Sequence, residues 1–220
     1  MKILSFNCRG LVGPQKISAL QRVVEIDQPE IMLLQKTLGE GLEVKAKLEC
    51  WFGGWFFKTL DVIGCSGGLA IGWNTRSVKV LNVWGMDSVL GITIKALDLE
   101  DSFDVINIYG PYLNRIPFWD TIFNHSLLRR EKLIIGGDLN FSLGQTKVWG
   151  PHARPDSLTD YFTRNLVDRN WLDVEPCVLK PTWKNNKCGE GRVVKRLDRF
   201  LVTEQIVYNH QLIRQWVGKG

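Results

Sequence analysis

The chain has 220 residues, 45% of them hydrophobic, and its 28 Lys and Arg against 23 Asp and Glu leave a formal charge of +5. That length and apolar content can build a sizeable core, and the positive excess favours a polyanionic partner over a cationic one. Cys8, Cys50, Cys65, Cys177 and Cys188 are scattered without metal spacing, and neither a leader-like start nor a long uncharged apolar run occurs, so disulfide scaffolds, zinc modules, secretion and membrane insertion are not expected. A reducing, intracellular setting fits, nuclear or cytoplasmic. No repeat or low-complexity linker divides the chain, and residues 1–220 read as one domain.

In chain order, residues 2–7 (Lys-Ile-Leu-Ser-Phe-Asn) predict a buried first strand ending at Asn7, before Cys8-Arg9-Gly10. Ile17, Leu20, Val23 and Val24 then fall at helical spacing up to the stop at Pro29. Residues 30–37 predict a second strand with Gln35, Lys36 and Thr37 at its end. Strand, helix, strand implies parallel pairing, with ligands expected beyond the strand ends. Between residues 51 and 104 the character changes: Gly-Gly pairs and alternating runs at 78–83 and 90–99 predict antiparallel strands. A further strand covers 103–109, closed by Gly110-Pro111. Ile116, Trp119, Ile122, Phe123 and Leu127 mark the next helix, and Leu158, Tyr161, Phe162 and Leu166 mark another.

Residues 132–141 (Lys-Leu-Ile-Ile-Gly-Gly-Asp-Leu-Asn-Phe) hold the strongest functional signal. Three large aliphatics predict a strand buried on both faces, and the Gly-Gly allows close approach of another backbone. If the chain stays extended, Asp138 and Asn140 face the same way, setting a carboxylate beside a carboxamide. A polar turn after a core strand would use the same residue types.

The polar strand ends form an ordered series: Asn7-Cys8-Arg9-Gly10, Gln35-Lys36-Thr37, Asn107-Ile108-Tyr109-Gly110-Pro111, Gly137-Asp138-Leu139-Asn140-Phe141 and Arg196-Leu197-Asp198-Arg199. In this order they resemble the endonuclease/exonuclease/phosphatase superfamily, the deoxyribonuclease I-like fold. Ser66-Gly-Gly-Leu-Ala-Ile-Gly-Trp73, Trp149-Gly-Pro-His-Ala-Arg-Pro-Asp156 and Pro181-Thr182-Trp183 extend the likeness to the apurinic/apyrimidinic-type endonuclease domain of plant LINE-type, non-LTR retrotransposons. The resemblance implies an α/β, four-layered sandwich with two packed mixed sheets flanked by helices. It implies Mg²⁺-dependent cleavage of DNA phosphodiesters, with Asp138 preparing the attacking water, Asn7 and Asn140 holding the phosphate and active-site network, Tyr109 contacting the phosphate, and Asp198 orienting a histidine. From the residues alone, Asn7 could equally cap a strand, Tyr109 could be a core aromatic, and Asp198 could pair with Arg196 or Arg199.

Two departures separate this sequence from that pattern. The family's Gln-Glu-Thr motif carries its metal-binding glutamate where this chain has Lys36. An ammonium cannot ligate a hard cation. Its repulsion of a unit charge ~4 Å away is roughly 4 kcal/mol at an effective dielectric of about 20, and a divalent ion doubles it. Glu40, four residues on, belongs to a Gly-rich stretch beyond the strand end. No Ser-Asp-His motif follows Asp198; His125, His152 and His210 all fall elsewhere, so the last strand of the family fold is expected to be missing. The open edge would then invite a protein partner or a second copy. The expectation is an impaired endonuclease or a pseudonuclease, with magnesium binding doubtful, no metal ligand assigned, and DNA as the partner. Arg9, Lys36, Trp183, Lys184 and Arg196 are the expected nucleic-acid contacts, since lysines and arginines around Trp183 form a basic, aromatic surface.

Overall fold

The computed structural model describes residues 1–11, 13–61, 67–97, 99, 101–210 and 213–218; Cys65 and Ser66, the latter the start of one retrotransposon-like motif, lie outside them. The fold is α/β, with two mixed sheets flanked by helices. In order the strands are β1 (Ile3–Asn7), β2 (Ile31–Gln35), β3 (Trp55–Leu60), β4 (Leu69–Asn74), β5 (Val78–Met86), β6 (Val89–Ala96), β7 (Ser102–Tyr109), β8 (Leu133–Asp138), β9 (Val148–Trp149), β10 (Trp171–Asp173), β11 (Trp183–Lys184), β12 (Val194–Lys195) and β13 (Asp198–Thr203). The helices are α1 (Pro14–Asp27), α2 (Gly41–Trp51), α3 (Arg115–Asn124), α4 (Thr159–Val167) and α5 (Glu204–His210). None is long and apolar enough to cross a membrane. Two compact units result: Met1–Tyr109 with Ile135–Gly137, and Gly110–Ile134 with Asp138–Gly220. Strand β8 thus contributes its middle to the first and its ends to the second.

In the first unit, β1-β2-β4-β3 forms a four-stranded sheet in which β1 and β2 run parallel, as strand–helix–strand order predicts, and the other pairings are antiparallel. Strand β2 is wholly buried, whereas β1, with one neighbour, is only half-buried; the expectation of a buried first strand is corrected by its edge position. Side-chain alternation sends Met32 and Leu34 into a core with Ile17, Leu20, Val44, Leu48 and Phe57. Strands β5, β6 and β7 form an antiparallel meander. Between this meander and the four-stranded sheet lies a buried amide latch. Gln35 Nε2 donates to Asn107 Oδ1 (2.7 Å), while Asn107 Nδ2 donates to the carbonyls of Leu34 and Ala70 (3.0 Å each). These two strand-end residues of the sequence motifs are therefore fastenings between the sheets.

Gly137 shows why the Gly-Gly pair is needed. Its φ is +142°, and a Cβ there would sit 2.0 Å from the Ile108 carbonyl oxygen. Backbone strain and overpacking together predict that Gly137→Ala costs about 2–4 kcal/mol, read as a lowered urea midpoint at unchanged slope.

The second unit sets β13 between β10 and β8, and holds a small sheet in the order β11-β12-β9. Its core is aromatic. Trp119 meets Phe123, Phe141 and Phe162 with ring centroids 5.2–5.6 Å apart, and Phe141 stacks on Phe162 at 3.9 Å. Rings from α3, α4 and the loop after β8 thereby lock together, offset and edge-on contacts adding to the apolar area they bury. After β10 the backbone at Pro176 bridges Gln215 in parallel.

Candidate functional site

In the first unit, β1 and β2 end side by side, with Asn7 paired to Gln35 in register. Asn7 is half-buried and Arg9 is exposed with a φ of +48°, while the N–H groups of Gly10 and Leu11 still donate to the carbonyls of Lys36 and Thr37. Lys36 follows β2 in a left-handed conformation (φ +54°), half-buried, with Nζ 4.7 Å from the centroid of the Tyr109 ring. Tyr109, 4% exposed, ends β7, and its N–H donates to Ser88 O. A half-buried ammonium over an aromatic face gains roughly 0.5–2 kcal/mol. Where the resemblance implies a carboxylate and a phenol, this chain thus has a cation held on that phenol's ring. Glu40 is exposed at the N-cap of α2, a helix that the sequence did not signal.

In the second unit, Asp138 ends β8 at 1% exposure. Its carbonyl accepts from Gly110 N–H (2.8 Å), and Leu139 N–H donates to Leu197 O (3.1 Å), tying the turn on both sides. Asn140 then departs from the extended course: its φ is +53°, so it does not project alongside Asp138 by strand alternation. That expectation is corrected by the strand's end at Asp138. The turn lets Asn140 Nδ2 donate to Gly110 O, while among the described residues its buried Oδ1 has no partner. Arg115 and Asp156 hold the following loop. The guanidinium grips both carboxylate oxygens (2.6 and 2.7 Å) and donates to Asn140 O (3.3 Å), and Asp156 accepts from Ser142 N–H (3.4 Å). Burial pushes the Asp156 carboxyl up, but these donors prevail and keep it below the usual carboxylate range. Asp156 closes the Trp149-to-Asp156 motif; its role here is to fasten the loop.

Asp198 is half-buried at the start of β13, and the Thr182 hydroxyl accepts from the N–H groups of both Leu197 and Asp198 (3.0 Å each). These two hydrogen bonds to one hydroxyl are what Thr182 of Pro181-Thr182-Trp183 contributes to the start of β13. Trp183 is half-buried and Lys184 exposed, with Lys187 and Arg192 also exposed nearby in sequence. Arg196 is not part of that surface. It is wholly buried, gripping Asp173 with both Nη atoms (2.7 and 3.0 Å), because β12 and β13 turn its side chain inward. Arg199 and Lys147 converge on the same carboxylate at 3.0 and 2.9 Å. Asp173 is an ion-pair partner of both arginines, and the Asp198 carboxylate adds its own charge beside Arg199. Sequence reasoning missed it because its partners lie 23 or more residues away. His125 caps a turn by accepting from Leu127 N–H, and His152 is exposed.

The donor set does not fit the magnesium site that the fold implies. Among the described residues no group of three or more His, Cys, Asp or Glu side chains gathers, and at the position where the sequence resemblance implies a glutamate the side chain is the Lys36 ammonium, which cannot ligate a hard cation.

The chain has the fold of the endonuclease/exonuclease/phosphatase proteins. Within that fold it is similar to the endonuclease domain of TRAS1, a telomere-specific non-LTR retrotransposon, at 16% identity and a TM-score of 0.66, over 94% of this chain and 87% of that one. It is similar to the apurinic/apyrimidinic endonuclease of Leishmania major (16%, 0.71, 94% and 80%) and to the Neisseria 3′ phosphatase NExo, solved with a product DNA hairpin (20%, 0.70, 94% and 88%). These likenesses are of fold. No protein-family model matches the chain, and no curated protein matches it.

Proposed function

We propose that this chain is an endonuclease-type domain of retrotransposon origin in which metal-dependent cleavage is impaired and nucleic-acid binding persists. The observation that carries this reading is the Lys36 ammonium 4.7 Å over the Tyr109 ring. A fixed cation supplies the charge that attracts a phosphodiester but cannot activate water, so binding survives where hydrolysis does not. Asn7, Tyr109, Asp138, Asn140 and Asp198 are read as the remnant of a cleavage apparatus. Arg9, Lys36, Trp183 and Lys184 are read as contacts to the strand, the lysines and arginine to phosphates and the indole to bases. Support for a DNA partner comes from the fold likeness to proteins of DNA metabolism and from the net charge of +5. A pseudonuclease that binds protein instead is the second reading, and Lys36 is compatible with it as well.

The test is anisotropy titration of a fluorescent duplex between about 25 and 200 mM salt, beside magnesium-dependent nicking of supercoiled plasmid. The expected result is binding that weakens with salt at a log–log slope of about −2 to −4, the signature of two to four phosphates neutralised, with no nicking. Nicking that disappears in Asp138→Ala would overturn the impairment. Negligible affinity at low salt would overturn nucleic-acid binding and leave the protein-binding reading.

A further inference from the structure

At the opposite end of β8 from Asp138, the second unit carries an open cleft of about 400 Å³, lined by Phe123, Leu128, Arg129, Arg130, Arg169 and Trp171 together with Asp168. That volume lies within the range of small-molecule pockets, roughly 300–1,000 Å³. Its floor is apolar: Phe123, Leu128 and Trp171 are 2%, 1% and 5% exposed. Its rim is basic. Arg169 is fixed in place, with Nε donating to Phe123 O, Nη1 donating to the backbone and side-chain oxygens of Asn165 (3.0 Å each), and the guanidinium stacked 4.7 Å over the Phe123 ring. These bonds answer carbonyls in the last turns of α3 and α4, whose dipoles would otherwise disfavour an anion there. Among the described residues Arg169 Nη2 has no acceptor, and neither has the guanidinium of Arg129. Asp168 makes no ion pair with either of them, so their N–H groups stay open, and its one carboxylate against the three arginines of the lining leaves the cleft net positive.

We infer that this cleft binds a phosphate monoester carried on a planar or apolar body, a nucleotide being the simplest case. Two guanidiniums with open N–H groups suit a dianionic phosphate, which they grip in fork geometry, and the apolar floor takes the body. The phosphate could belong to a free nucleotide or to the 5′ end of a strand, and the site is independent of the Lys36 reading.

The test is calorimetric titration of the full chain with AMP, with a short 5′-phosphorylated single strand, and with the same strand ending in a 5′-hydroxyl. The expected result is saturable binding of AMP, and at least a tenfold loss in the Arg129→Ala/Arg130→Ala variant. Both side chains lie in exposed positions, so the fold should hold, and a thermal melt matching the parent checks this. Preference for the phosphorylated over the hydroxyl strand, lost in the same variant, would assign the site to strand ends as well; equal binding of the two strands would confine it to free nucleotides. Backbone amide shifts on AMP addition should concentrate at residues 128–130 and 168–171. Absence of AMP binding at millimolar concentration, equal binding by the double variant, or shifts confined to other residues would each overturn the inference.

Discussion

Asp173→Ala lowers the unfolding free energy by about 3–5 kcal/mol, the cost of removing one partner from a buried ion network. Asp173 ends β10 and is met by Lys147, Arg196 and Arg199, with the two arginine side chains wholly buried. Removing the carboxylate leaves two buried guanidiniums and an ammonium facing one another. The damage is not local. Arg199 also donates to Phe141 O (2.8 Å) and Arg196 O (2.7 Å), and Arg196 donates to Val174 O (2.9 Å), so the loop after Asp138 and the strand beginning at Asp198 both hang on this network. Burial drives the Arg199 guanidinium down to about 10, which still leaves it charged at neutral pH. Burial alone would raise the Asp173 carboxyl. The cations, Arg199 foremost, outweigh it and hold the carboxyl below its ordinary value of 3.8. A depressed folded-state value means that this stabilisation is complete above about pH 4 and is lost as pH falls through the lowered value. Urea unfolding of parent and Asp173→Ala should differ by the full amount at pH 7, and by less as pH falls below about 3.8. A difference under 1 kcal/mol at pH 7 would show that the network is dispensable.

The second large effect is expected at Lys36. Lys36→Glu should weaken duplex binding at 50 mM salt by roughly tenfold or more and flatten the log–log salt slope by about 0.9, one phosphate contact. Reversal adds repulsion to the lost contact, so the affinity falls further than for Lys36→Ala, which should change the slope by the same amount. Stability should move little, since a half-buried cation over an aromatic ring is worth roughly 0.5–2 kcal/mol. A manganese or magnesium titration gives an independent reading. The parent should give no saturable heat, and the glutamate variant should give some, because an oxygen donor then replaces the ammonium. Unchanged DNA affinity in both variants would remove Lys36 from the binding surface. Saturable heat from the parent would show that the ammonium does not exclude the ion.

How far these residues could be read in advance depended on how local their causes are. Strand β8 was legible because Leu133, Ile134 and Ile135 are apolar on both faces, and the Gly-Gly pair signalled the close approach that Gly137 makes to Ile108; its end at Asp138 was not legible, because the left-handed turn at Asn140 is set by the tertiary contacts. Helix α1 was legible from Ile17, Leu20, Val23 and Val24, and the parallel pairing of β1 with β2 followed from the helix between them. Helix α2 was not, because its buried apolar stripe is short, Val44 and Leu48, and follows a Gly-rich start with Leu42 facing solvent.

The sequence by itself determined the α/β order, the apolar strands, and the identity of the chemical groups at each strand end, including the ammonium at position 36. These follow from periodicity and residue type, which act over a few residues. Only the tertiary structure decided where those groups go. It turned Asn140 out of line with Asp138, placed Lys36 on the face of Tyr109, withdrew Arg196 from the surface, and made Asp173 the centre of three cations. Each of those outcomes is set by contacts far apart in the chain, where burial compels a charge to find its partner and close packing selects the one backbone turn that fits.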